Sequence, residues 1–360
     1  MQRRSELFDL GRRARILLAL LLGAGATACV EEPRSDETVE PTLTGGFHVP
    51  ESISPEAQEI VRSFARPEAG LPAPDDLDGW RTVWEENEAA QQVGAAEVVA
   101  RYEPTLEEVD LGGVPVLDIK PRDWVDNGKV LIYIHGGAYT LFSAGSTLSS
   151  SVPVAAVTGL RVISVDYTTA PFAKFDQTTD QVIAVIRALV ENGYALEDLA
   201  IYGDSAGGGL AAGSVLKMRN QGLGMPAAVV LWSPWADITE TGDSYSTLRD
   251  HDPVLVYTGV LDVSADAYAD PADQQNPYVS PVYADYSLGY PPTMIQGGTK
   301  EIFLSNFVRL YQAMDNAGQP VTLDLYDGMW HVFQAFHWAL PESDRAREKM
   351  AAFLREHLAG

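Results

Sequence analysis

Gly203-Asp204-Ser205-Ala206-Gly207 is a GxSxG pattern, preceded by the apolar run LAIY (199–202) and followed by the helix-compatible GGLAAGSVLKMRNQ. A serine held between small residues at a sharp strand-to-helix turn stands clear of the backbone, with its hydroxyl at a helix N-terminus. Ser205 is therefore the candidate nucleophile, and the chemistry is acyl transfer. The bland reading is a glycine-rich turn capped by a serine. A GxGxxA dinucleotide reading of Gly207, Gly209 and Ala212 fails, because no acidic residue ends the next strand, AAVVLW, to hold a ribose.

A neutral serine needs a base within hydrogen-bond reach, itself oriented by a third group. The chain has six histidines. His48 precedes the first helical segment, His251 lies in a long insertion, and His337 and His357 sit in the C-terminal helical region. His135 ends the strand KVLIYI (129–134). His331, in Gly328-Met329-Trp330-His331-Val332-Phe333, follows the last strand and has the late position expected of the base in the order serine, acid, histidine. The acid is sought after the penultimate strand, where Gly297-Gly298-Thr299-Lys300-Glu301-Ile302 offers one carboxylate, Glu301. Asp327, just before the histidine loop, and Asp324, within the last strand, are the alternatives.

Acyl transfer also needs donors for the developing oxyanion. His135-Gly136-Gly137-Ala138-Tyr139 presents bare backbone N–H groups at Gly136, Gly137 and Ala138, and Ala206, the residue after the nucleophile, supplies another. A second base would be redundant, so His135 is read as positioning this loop. Tyr139, Phe142, Trp330 and Phe333 flank the loops as candidate walls of a compact acyl pocket, or equally as core.

These residues need a scaffold. TLEEVDL and VPVLDIK read as a hairpin across Gly112-Gly113. KVLIYI (129–134), LRVISVDY (160–167), LAIY (199–202), AAVVLW (227–232), PTMIQG (292–297) and VTLDLY (321–326) follow at intervals that fit crossover helices. Near-continuous apolar strands alternating with helices predict an α/β fold with a mostly parallel central sheet flanked by helices. Sites in such sheets form where strands end. Residues 47–99 read as helical: Ser54-Pro55-Glu56 pairs a capping serine with a proline at the first helical position, and Leu77, Trp80, Val83 and Trp84 share one face of a second helix. Together with the Asp-, Tyr- and Pro-rich interval from Asp237 to Tyr290, this segment is expected to cap the carboxyl edge of the sheet.

HGGAY, VDYTTAP (165–171), GDSAGG (203–208), SPWAD (233–237) and GMWHVF (328–333), in this order, resemble the hormone-sensitive-lipase-like family of bacterial α/β-hydrolase esterases from roughly Val99 to the C-terminus. The resemblance implies an α/β-hydrolase domain over 100–360 and a helical N-terminal cap over 47–99. It implies serine carboxylesterase activity on short acyl esters, without cofactor or metal. Three departures stand out: Ala138 replaces the usual third glycine, Lys300 stands where many members carry the acid, and VDYTTAP lacks the arginine usual after the tyrosine. A lactone hydrolase using the same parts is the alternative enzyme, and a non-catalytic binding lipoprotein on a hydrolase scaffold the alternative of another class.

Composition bounds these readings. The 360 residues are 46% hydrophobic and 21% charged, which excludes disorder, and a net charge of −25 disfavours a phosphate-backbone partner such as nucleic acid. A single cysteine, Cys29, excludes a disulfide framework and paired-cysteine zinc sites. Five arginines within residues 1–15 precede the run ILLALLLGAGA (16–26), which is too short to span a bilayer and ends in Ala26-Thr27-Ala28-Cys29. Residues 1–29 therefore read as a secretory signal resembling that of bacterial lipoproteins, with Cys29 as the acylated new N-terminus. Ordinary cleavage near Ala28, or an uncleaved anchor, is the alternative. Residues 30–46, acidic and poor in large apolar side chains, read as a flexible tether. The expectation is an exported protein, anchored by lipid and facing the periplasm or cell surface, acting on a small ester or lactone.

Overall fold

The structure, a computed structural model, describes residues 46–66 and 70–358. The signal segment, Cys29 and nearly all of the expected tether lie outside the described residues. Among the described residues, eight strands form one sheet in the order β1-β2-β4-β3-β5-β6-β7-β8. They are β1 (Thr105–Leu111), β2 (Val114–Lys120), β3 (Val130–Ile134), β4 (Arg161–Val165), β5 (Leu199–Asp204), β6 (Ala228–Trp232), β7 (Thr293–Gly298) and β8 (Val321–Tyr326). β2 runs antiparallel to β1 and β4, and every pairing from β4 through β8 is parallel.

The β3 sequence explains this placement. All five of its residues are buried, and they alternate between two core layers: Val130, Ile132 and Ile134 face one, Leu131 and Tyr133 the other. A strand covered on both faces has no polar side to show, which is why it reads as a continuous apolar run. β4 ends at Val165, two residues before the expected boundary. There Asp166 turns out of the sheet, and its carboxylate accepts the Ala144 N–H at 2.9 Å.

The covering helices are α1 (Pro55–Ser63), α2 (Leu77–Tyr102), α3 (Leu148–Thr158), α4 (Phe175–Glu191), α5 (Ala206–Asn220), α6 (Asp262–Tyr268), α7 (Leu304–Asn316) and α8 (Pro341–His357). Ser54 caps α1, its hydroxyl accepting the Ala57 N–H at 3.2 Å. The same hydroxyl and the Ser54 N–H donate to Glu342, which fastens α1 to the first turn of α8. α2 continues to Tyr102, where Glu103 turns into the left-handed region at φ 48° and the chain enters β1. Of the face expected on α2, Trp80 is buried, Val83 and Trp84 are half-buried, and Leu77, in the first turn, is exposed.

Between β6 and β7 the chain leaves the sheet for sixty residues without a strand, as expected of the Asp237–Tyr290 interval. Buried Asp237 secures it, accepting from Arg309 of α7 at 2.6 Å and from the Tyr283 hydroxyl at 2.9 Å. The Leu71 N–H donates to the Gly259 carbonyl, joining this excursion to the N-terminal segment over the carboxyl end of the sheet.

Candidate active site

β5 delivers Ser205 at its end, with φ 55° and ψ −124°, before α5 begins at Ala206. That turn needs both of its flanking glycines. A Cβ on Gly203 would lie 2.3 Å from the Gly207 carbonyl oxygen, and one on Gly207 would lie 2.1 Å from that of Ile134, so helix and strands approach too closely for any side chain. The other glycine of the rejected dinucleotide reading serves packing as well: a Cβ on Gly209 would meet the Trp235 carbonyl oxygen at 2.4 Å.

His331 comes from the loop after β8, and Glu301 from the loop after β7. His331 Nε2 lies 2.8 Å from Ser205 Oγ, and its Nδ1 lies 2.7 Å from Glu301 Oε2. All three are buried, Glu301 completely. The second oxygen of Glu301 accepts the Gly298 N–H at 2.6 Å and the Ser233 hydroxyl at 2.8 Å. Ser233 in turn accepts the Val332 N–H at 3.1 Å, so one hydroxyl fastens the acid to the histidine loop. The two rival carboxylates are engaged elsewhere. Asp327 accepts from Ser52 and Thr299, and Asp324 from Gln296 and Lys349. Lys300 points away as well, donating to the His48 carbonyl.

The loop after β3 faces the nucleophile. Gly137 has φ 104°, and Ala138, Tyr139 and Phe142 are also left-handed at 53°, 65° and 71°. Such values cost a non-glycine residue about 1–2 kcal/mol and persist only where surroundings enforce them. Here enforcement comes from aromatic packing: Tyr139 stacks on Tyr268 at 3.7 Å between centroids and lies against Trp235 at 5.6 Å. The backbone N–H groups of Gly137, Ala138 and Ala206 have no protein acceptor among the described residues. The Gly136 N–H, by contrast, lies beside the buried Asp204 carboxylate and favours its ionised form. Of the four expected donors, Gly136 is thus the one set beside a carboxylate.

His135 is fully buried, its Nδ1 2.8 Å from the Gly136 carbonyl oxygen and its ring stacked on Tyr167 at 4.2 Å. Burial pushes its pKa down, so it stays neutral, and its Nε2 has no hydrogen-bond partner among the described residues, so it is not bonded to Ser205, His331 or Glu301. At Thr168, which follows the tyrosine of VDYTTAP, Gln181 accepts the backbone N–H through its amide oxygen and donates its amide NH2 to the Thr168 hydroxyl, both at 2.9 Å.

A cavity of about 110 Å³ opens onto Ser205 and His331. Its apolar wall includes Leu141, Phe142, Leu255, Val260, Leu261 and Phe336, and Gln91 of α2 closes one side. Of the four aromatic residues expected as walls, Phe142 lines it. Tyr139, Trp330 and Phe333 do not. Tyr139 is the buried anchor of the donor loop, while Trp330 and Phe333 join Ile53, Ala57 and Val61 in a core cluster beneath α1. Sequence reasoning also missed Ser233 and the wall residues Val254–Leu261. Ser233 had a signal, since it directly follows β6 at the edge where the other site residues emerge. The wall residues carry no local pattern. Among the described residues, no group of three His, Cys, Asp or Glu side chains is arranged to hold a metal ion.

A buried serine, imidazole and carboxylate in hydrogen-bonded series, with unengaged N–H groups opposite, define the class of serine hydrolases built on a parallel sheet. The sequence profile of the alpha/beta hydrolase fold family matches residues 131–335. An acetyl-hydrolase of Streptomyces hygroscopicus is 35% identical over 252 residues, covering 68% of this chain and 84% of that one. An esterase of Acinetobacter venetianus is 32% identical, covering 69% and 82%. Among solved structures, esterase E25 superposes with a TM-score of 0.81 at 27% identity, over 89% of this chain and 99% of that one. An esterase of the bacterial hormone-sensitive lipase family does so with 0.71 at 30% identity, over 78% and 92%. The chain belongs to the α/β-hydrolase family, in its hormone-sensitive-lipase-like branch.

Proposed function

We propose that the protein is a serine carboxylesterase that hydrolyses short-chain acyl esters. The observation that carries this reading is the unbroken series from Ser205 Oγ through His331 to Glu301, at 2.8 and 2.7 Å. In it, Ser205 attacks the ester carbonyl while His331 Nε2 takes its proton. Glu301 holds the Nδ1 proton, fixing the tautomer, and stabilises the imidazolium that forms. The N–H groups of Gly137, Ala138 and Ala206 receive the oxyanion. His331 then returns its proton to the departing alcohol, and a water deprotonated by the same nitrogen releases the acid from the acyl-serine.

Support for an ester as substrate comes from the names of the relatives, an acetyl-hydrolase and an esterase. Support for a short acyl chain comes from the name of the acetyl-hydrolase relative, and the apolar wall of the cavity at Ser205 and His331 is where such a chain would lie. We also propose that the enzyme is exported and anchored by lipid at Cys29, on the sequence of residues 1–29.

Ser205→Ala is expected to lower p-nitrophenyl butyrate hydrolysis by on the order of 10⁶-fold and to abolish labelling by a fluorophosphonate. Undiminished turnover by that variant excludes the scheme. A panel of acetate, butyrate and longer esters, with lactones alongside, is expected to peak at short linear esters. A profile that rises with chain length, or that favours lactones, removes the substrate assignment and leaves the nucleophile standing.

A further inference from the structure

One buried carboxylate near the site has no part in the scheme above. Asp252 is 2% exposed and lies on the excursion between β6 and β7. Its Oδ1 accepts the N–H groups of Val254 and Leu255, at 2.8 and 2.9 Å, and its Oδ2 accepts the N–H of Ile302 at 2.8 Å. Val254 and Leu255 line the cavity, and Ile302 is the residue after Glu301. A single side chain thus holds the pocket wall with one oxygen and the backbone of the acid loop with the other.

The surroundings brace both ends of this link. Ile302 is gripped from its other side, its carbonyl accepting the Ser244 hydroxyl at 2.6 Å. The excursion is tied outward through Asp250, which pairs with Arg66 at 3.0 Å. Burial pushes the Asp252 carboxyl up to about 7, against the three backbone N–H groups and the charge of His331, which favour the ionised form. Retaining a carboxylate at such a cost is common at functional sites. A neutral cap for Val254 and Leu255 alone would require no second oxygen.

We propose that Asp252 is a positioning residue for the catalytic acid: by binding the Ile302 N–H and the Val254–Leu255 turn together, it sets Glu301 in register with the substrate pocket. This rests on the reading in which Glu301 orients His331. Without the link, the loop after β7 keeps Glu301's own contacts to Gly298 and Ser233 but loses its attachment to the wall against which substrate binds. A misplacement of about 1 Å in such an assembly costs on the order of 10²-fold in rate.

Two substitutions separate the halves of the link. Asp252→Asn retains a carbonyl oxygen for the Val254–Leu255 turn and sets an amide NH2 against the Ile302 N–H. Asp252→Ser caps the same turn with a hydroxyl too short to reach Ile302, and it carries the experiment should the Asn variant fail to fold. Both are expected to lower kcat for p-nitrophenyl butyrate by roughly 10- to 100-fold with little change in KM. In a Glu301→Gln background the same substitutions are expected to cost almost nothing further, because they act through Glu301. A rise in KM alone, an unchanged kcat, or losses that multiply in the double variants each overturn the proposal. If Glu301→Gln by itself retains wild-type kcat, the assignment of the acid has failed, a result distinct from a failure of Asp252 alone.

Discussion

Asp204 sits beside the nucleophile at 4% exposure, and burial alone works strongly against its charge. The Tyr133 hydroxyl at 2.5 Å, the charge of His331 and the Gly136 N–H oppose that effect without cancelling it, leaving the carboxyl raised to about 6 from 3.8. The native state then takes up a proton near pH 6, while the unfolded chain waits until about pH 4. Stability therefore rises as pH falls through this window, since the native state binds more protons than the unfolded one. At 1.36 kcal/mol for each unit of pKa shift, the effect is on the order of 3 kcal/mol. Asp252, raised to about 7, contributes with the same sign. The difference in unfolding free energy between the wild type and Asp204→Asn isolates Asp204. That difference, from urea titrations between pH 7 and 4, is expected to move in favour of the wild type as the solution is acidified. Movement the other way contradicts the assignment. The benefit offsetting this cost at neutral pH is the bond from the Tyr133 hydroxyl, which ties the residue before the nucleophile to β3.

At the scale of elements, the site depends on how closely α5 and β3 approach. Gly207→Ala places a Cβ 2.1 Å and 2.4 Å from the carbonyl oxygens of Ile134 and His135, backbone atoms that cannot step aside as a side chain can. The loss is expected to reach or exceed the about 1–3 kcal/mol of ordinary overpacking, and the shift of α5 to carry Ser205 away from His331. Circular dichroism melts together with fluorophosphonate labelling check both effects, and a variant with wild-type melting and labelling shows that the contact is slack. The tightness was legible beforehand, because GxSxG between an apolar run and a helical stretch has few other uses. So were the strands, since those buried on both faces leave nearly continuous apolar sequence. The pocket was not legible. Tyr139, Trp330 and Phe333 flank the motifs in sequence, yet they face the core, because proximity along a loop does not decide which way a ring turns. The actual wall at Val254–Leu261 and the links through Ser233 and Asp252 depend on contacts between residues about 50 to 100 positions apart. Such contacts leave no periodic trace.

For the molecule as a whole, net charge and surface bear on how it meets a membrane. A charge of −25 repels an anionic leaflet, so electrostatic attraction does not recruit the folded body. Among the described residues no helix is long and apolar enough to cross a bilayer. Attachment, on the proposed reading, rests on acyl chains at Cys29, each buried CH2 contributing about 0.8 kcal/mol. The acidic residues 30–46 then act as a spacer that keeps the body clear of the headgroups. Cells expressing the full chain and fed an alkyne-tagged palmitate are expected to yield a labelled protein in the membrane fraction, and Cys29→Ser to abolish the label and release the enzyme. Because Ser205, His331, Glu301 and the cavity all lie far along the chain from residue 29, kcat/KM measured in detergent is expected to be equal for the two proteins. Label or membrane association persisting in Cys29→Ser defeats the anchor. Unlabelled wild type released whole from the membrane points instead to plain cleavage near Ala28, with the catalytic assignment untouched.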